Sequence, residues 1–265
     1  MEKYFSKEEI EVIMGNDKIK DYKKNTLDIK VDEIFKYLST KNMNKKEITK
    51  IIIKFPRLIT YSIENISSNC EYLDITFDKK TNRIVKSNPR ILSRNIEYIE
   101  NRIKYLTNIF KEEKIVKKIC IKFPTILTLS ELNIEISIKN LEELINDKNK
   151  IISLISSNPN ILSFSNKLIN QKIKWFYDKG YNKKEIMKII IKAPTVLTID
   201  YETKESNIDK KYNYLFYELN YTKEEIIDIT SKFPIYYTLG LDTIKNRVEN
   251  LIRLGYKIDT IKTII

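Results

Sequence analysis

Hydrophobic and polar positions along this 265-residue chain repeat over a period much longer than one helix turn. An apolar pair recurs as Leu58-Ile59, Ile91-Leu92, Ile126-Leu127, Ile161-Leu162, Val196-Leu197 and Tyr236-Tyr237. Each pair lies two and three residues after a proline, and Pro56, Pro89, Pro124, Pro159, Pro194 and Pro234 are all the prolines of the chain. Their spacings are 33, 35, 35, 35 and 40 residues. A period in that range predicts a solenoid, in which each unit buries its apolar face only against its neighbours. Four residues after each proline stands a hydroxyl: Thr60, Ser93, Thr128, Ser163, Thr198 and Thr238. Six after it come Ser62, Asn95, Ser130, Ser165, Asp200 and Gly240, residue types suited to a helix N-cap. Proline ends the preceding helix and fits the first position of a short turn. The predicted unit is therefore helix, proline-initiated 3₁₀ turn, N-cap, next helix.

The helix after each turn has its own register. Fourteen residues beyond the proline lie Cys70, Ile103, Ile138, Ile173 and Val248, and seventeen beyond lie Leu73, Leu106, Leu141, Phe176 and Leu251. A four-residue insertion shifts these positions to Tyr212 and Leu215 in the fifth unit. The three-residue step puts both on one helical face, predicted to be core. Gly180, Asn220 and Gly255 close this helix in three units, as a left-handed C′ position prefers. A second helix then opens on a capping box, with Asn44 and Glu47, Asn182 and Glu185, or Thr222 and Glu225. All three caps precede their prolines by twelve residues, so this helix has a fixed length. Ser6 and Glu9 begin the same helix in a degenerate N-terminal capping unit over residues 1–30, and residues 241–265 form an incomplete last repeat. With four glycines and one alanine there is no flexible linker, which predicts a single repeat domain over 1–265.

Composition narrows the function. A net charge of +12 and a pI near 9.3 favour a polyanionic partner, although the abundance of Lys, Asn and Ile also fits AT-rich coding drift. Cys70 and Cys120 stand where other repeats carry apolar residues, so they read as core, with no disulfide or metal spacing. The chain has no histidine, Gly-rich phosphate loop, metal cluster or nucleophile motif, which argues against an enzyme and against a cofactor. No run of eighteen apolar residues predicts a membrane span. The start carries Glu2, Glu8, Glu9 and Glu11, unlike an Arg-rich, acid-poor transit peptide.

The six proline phrases resemble the repeats of the mitochondrial transcription termination factor (mTERF) family, as do the stretches Phe176 to Gly180, Asn182 to Ile186 and Leu251 to Gly255. The resemblance runs from about Val31 to the C-terminus. It implies an all-α, right-handed curved α-solenoid of about seven repeats, each with two α-helices and a 3₁₀ turn. It also implies a basic groove that binds nucleic acid without catalysis, and an address in mitochondrion or plastid. The acidic start leaves cytoplasm as the alternative. Seven arginines against forty-one lysines depart from a protein that reads bases, because arginine is the better base and phosphate reader.

A solenoid presents the same repeat position again and again to its ligand. Thirteen residues after the proline come Asn69, Arg102, Ser137, Lys172 and Arg247, with Lys211 in the inserted unit. Two residues before it stand Lys54, Lys122, Lys192 and Lys232, alternating with Ser87 and Ser157, and just after it stand Arg57 and Arg90. These ten cations are the candidate nucleic-acid contacts, spaced to track a phosphate backbone. Tyr236 and Tyr237 replace the aliphatic pair and offer rings for base stacking, although core is the commoner role at that position. The leading expectation is a monomeric protein that binds double-stranded DNA or structured RNA and regulates transcription or gene expression. The alternative is an α-solenoid scaffold for other proteins.

Overall fold

The computed structural model describes residues 1–164, 166–198, 207–258 and 260–261. Among them it is all-α, with fourteen α-helices and no strand. The chain forms two compact units, Met1–Ser130 and Glu131–Ile265. The first contains α1 (Lys7–Met14), α2 (Lys24–Thr40), α3 (Lys45–Lys54), α4 (Ile63–Thr76), α5 (Thr81–Ser87), α6 (Ile96–Phe110) and α7 (Glu113–Lys122). Its 3₁₀ turns are Pro56–Thr60, Pro89–Ser93 and Pro124–Leu127. The second contains α8 (Glu131–Leu144), α9 (Lys148–Ser157), α10 (Asn166–Asp178), α11 (Lys183–Lys192), α12 (Asn207–Asn213), α13 (Lys223–Lys232) and α14 (Leu241–Arg253). Its 3₁₀ turns are Pro159–Ser163, Pro194–Thr198 and Pro234–Thr238, and a π-helical stretch, Tyr214–Glu218, continues α12.

Every predicted proline turn is present, and its recurring hydroxyl has a structural reason. Thr60, Ser93, Thr128, Ser163 and Thr238 each donate to the carbonyl three residues back, at 2.9, 2.8, 3.1, 2.7 and 2.7 Å. The hydroxyl thus closes a turn too short to satisfy its own carbonyls. Ser62 and Asn95 cap α4 and α6 through the backbone N–H of Asn65 and Tyr98, and Gly240 occupies the N-cap of α14. Ser165, Asp200 and the Thr198 side chain lie outside the described residues. The boxes at Ser6, Asn44, Asn182 and Thr222 all form. Gly180 and Gly255 take φ values of +97° and +89°, which an L side chain resists, and Asn220 takes +53°. The same left-handed break occurs at Asn42, two residues before its cap as Asn220 is, and at Lys111, where the residue type did not announce it.

The buried face of the longer helix differs from the predicted one. Position seventeen is buried at Leu73, Leu106, Leu141, Phe176 and Leu215. At position fourteen Cys70, Tyr212 and Val248 are buried, but Ile103, Ile138 and Ile173 are only partly covered. The deeper line runs through positions ten, thirteen and seventeen, as in Ile66, Asn69 and Leu73 of α4. Those steps of three and four residues keep the line on one side of a helix. Burial pushes the Cys70 and Cys120 thiols up to about 12, so both cysteines are inert core.

In the second unit Trp175, Phe176, Tyr181, Tyr212 and Tyr237 pack edge to face, with centroids 5.0–6.0 Å apart. The Tyr181 hydroxyl lies 2.7 Å from those of both Thr230 and Tyr237. Tyr236 and Tyr237 are buried, at 5% and 0% exposure, which rules out the base-stacking role. Replacing the fully buried Leu106 with Ala is expected to cost about 2–5 kcal/mol. Ile75→Ala, at a side chain 82% exposed, is expected to change stability by less than about 0.5 kcal/mol. Urea unfolding of both variants checks the contrast, and equal losses would contradict this assignment of the core.

Candidate nucleic-acid interface

The ten candidate cations separate into two environments. Lys54, Arg57, Arg90, Lys122, Lys192, Lys232 and Arg247 are exposed, whereas Arg102, Lys172 and Lys211 are buried at 6%, 1% and 1% exposure. Position thirteen faces the turn of the following repeat. Asn69 donates to Leu92 O at 3.0 Å and to Arg94 O at 2.8 Å. Ser137 donates to Leu162 O at 3.3 Å, Lys172 to Leu197 O, and Lys211 to Tyr237 O at 2.5 Å. All four position-thirteen side chains thus reach the carbonyl three residues past the next proline. The Tyr236 hydroxyl returns a bond to Lys211 O at 2.8 Å, so α12 and the Pro234 turn hold each other reciprocally.

The reason is hydrogen-bond accounting. The apolar pair of each turn points into the core and takes its backbone with it, leaving a carbonyl that water cannot reach and the turn cannot satisfy. An orphaned buried carbonyl costs about 1–3 kcal/mol, so the neighbouring helix supplies a donor. Asn, Ser and Lys all meet that need with different reach. Lys172 and Lys211 are therefore latches between repeats, with their ammonium groups withdrawn from any ligand in solution. Arg102 is buried between Tyr98 and Tyr105, with its guanidinium carbon 5.7 and 5.4 Å from their ring centroids. Arg247 occupies the same repeat position, and no further proline turn covers it among the described residues.

The lysines two residues before the proline have a different geometry. Lys54 donates to Ser87 O and Lys192 to Lys232 O at 3.3 Å, each reaching the end of the next repeat's second helix. There the helix dipole and the open carbonyls attract a cation. These ammonium groups stay at the surface, and with three donors each they have capacity beyond that one bond. Lys232 also pairs with Asp228 at 2.6 Å. Arg57 lies over the Tyr61 ring at 5.8 Å, and Arg90 is exposed.

The first unit also carries a basic groove away from the proline-aligned positions. A depression of about 780 Å³ is lined by Arg83, Lys114, Lys117, Lys118 and Lys122, with Asp78 and Glu113. Lys117 pairs with Glu113 at 3.1 Å. The signal was available in the sequence: stepping back by fours from Lys122 meets Lys118 and Lys114.

The mTERF family model matches the chain over residues 10–131 and 99–265, two overlapping stretches as a repeated unit produces. No curated protein matches the sequence.

Burial alone pulls the Lys211 ammonium below its ordinary value of 10.5. As pH rises, the native chain releases this proton before the unfolded chain does, so the unfolded state binds more protons over that interval. Stability attributable to Lys211 therefore increases from the depressed pKa up to 10.5. Unfolding of the wild type and Lys211→Met, compared between about pH 7 and 10, is expected to show the wild type gaining on the variant. A difference independent of pH would contradict the burial of this ammonium.

Proposed function

The chain belongs to the mTERF family, and on that premise we propose that it binds double-stranded DNA through exposed cations that recur around its proline turns. Family membership supports a nucleic-acid-binding helical-repeat protein. The finer reading is a non-catalytic factor that engages the phosphate backbone of duplex DNA, or of structured RNA, and regulates transcription or gene expression. The observation that carries it is the exposure of Lys54, Arg57, Arg90 and Lys122 beside the three proline turns of the first unit, with Lys192 and Lys232 beside two turns of the second. A regular array of cations follows a regular array of phosphates, and each phosphate neutralised releases counterions.

Lysine suits backbone contact better than base reading. It is a compact point charge on a flexible stem, without the planar fork that reads guanine. The six exposed turn residues named above include only two arginines, so affinity on this reading owes more to charge than to sequence.

Fluorescence anisotropy against labelled duplex DNA, single-stranded DNA and hairpin RNA across a salt series tests the proposal. Duplex affinity is expected to fall with salt at a log–log slope of about −0.9 per phosphate contacted. Arg57→Ala combined with Arg90→Ala is expected to weaken binding and flatten that slope by roughly 1–2. Absence of binding to all three probes at low salt would overturn the reading in favour of a protein-binding scaffold.

A further inference from the structure

The second helices of the first unit form a continuous array, with α3 packed against α5 and α5 against α7. Lys86 of α5 pairs with Glu47 of α3 at 2.6 Å across the first of these contacts. Six residues before each proline this array carries Lys50, Arg83 and Lys118, one on each helix and all exposed. Lys46 and Lys114 lie four residues further back on α3 and α7, also exposed. Neighbouring helix axes lie about 8–10 Å apart. Four residues along a helix advance about 6 Å. The cations therefore sit on a two-dimensional grid on rigid supports.

The equivalent positions of the second unit are different. Six before the proline stand Ser153, Lys188 and Asp228, and ten before it stand Asn149, Lys184 and Glu224. The groove between α11 and α13 is lined by Lys188, Lys192 and Lys232 with Glu185, Glu224 and Asp228, three charges of each sign. The α5–α7 groove has five cations to two carboxylates. A merely solvated helical face needs no such excess, and uncompensated like charges repel one another and weaken the folded state. The excess at these two positions, where the second unit sums to no net charge, points to an external anion at the first.

We propose that the α3–α5–α7 face of the first unit, centred on Lys50, Arg83 and Lys118, is a docking surface for a nucleic-acid phosphate backbone, and that the positions six and ten residues before the proline in the second unit are not. This rests on the nucleic-acid reading above and adds to it a location and a polarity. The exposed Lys54 and Lys122, two residues before their prolines, extend the same surface toward the turns. Arg83 also lines a second depression with Lys79, Lys80 and Lys86, which makes it the hub of the surface.

The test compares two charge-matched triple variants of the full chain. One carries Lys50→Gln, Arg83→Gln and Lys118→Gln, and the other Lys184→Gln, Lys188→Gln and Lys223→Gln. All six side chains are exposed, and unchanged circular dichroism melting confirms the fold of each. In a salt series the first variant is expected to reduce the slope by about 2–3 on duplex DNA or hairpin RNA, whichever the wild type binds. The second is expected to reduce it by less than about 1. Equal reductions, or an unchanged slope in the first variant, would overturn this location while leaving the nucleic-acid reading intact. Wild-type binding to phosphatidylserine-containing vesicles, with none to either nucleic acid at low salt, would overturn both.

Discussion

Each proline turn buries an apolar pair, and with it a carbonyl that the turn cannot satisfy. At four turns the long helix before supplies the donor: Asn69, Ser137 and Lys172, thirteen residues after the preceding proline, and Lys211, seventeen after it. Much of the architecture follows from this one requirement. The donor couples a long helix to the next turn, so each repeat is completed by its successor. Because only a donor of adequate reach is needed, the position accepts an amide, a hydroxyl or an ammonium. At five turns the hydroxyl four residues after the proline satisfies a second carbonyl.

That constraint also explains which features could be read in the sequence. Local chemistry was legible: proline at the first turn position, Asn44, Asn182 and Thr222 as caps, and Gly180, Asn220 and Gly255 in left-handed conformation. Each depends on a few neighbouring residues and on φ/ψ preferences that hold in any fold. Position thirteen was not legible in the same way. A lysine beside a core position presents one pattern whether its amine meets water or a buried carbonyl, and the difference lies in a partner about 25 residues away. Tyr236 and Tyr237 raised the same ambiguity, settled by an aromatic cluster assembled from Trp175, Phe176, Tyr181 and Tyr212. Lys50, Arg83 and Lys118 lie a helical turn further from the proline than Lys54 and Lys122, where no part of the proline phrase marks them.

The lysines of this chain thus do two kinds of work. A buried minority holds repeats together, and an exposed majority sets the field at the surface. Net charge of +12 mixes the two, so it says little about where an anion docks. Position on the repeat says more. Cations at the ends of second helices sit where open carbonyls favour them, while those one helical turn earlier in α3, α5 and α7 have no such structural reason. On the proposal above a nucleic-acid ligand supplies it, and the rigid helices beneath would reduce the entropy lost when the cations are fixed on phosphates.

The division of lysines is tested most directly by lysine-acetylation footprinting of the full chain, read by mass spectrometry with and without saturating duplex DNA. The account predicts that Lys172 and Lys211 stay unreactive in both states, that Lys50 and Lys118 react freely and become protected on binding, and that Lys184 and Lys188 react equally in both. Protection of Lys184 and Lys188 with none at Lys50 and Lys118, or ready acetylation of Lys172 and Lys211 in the folded protein, would contradict it.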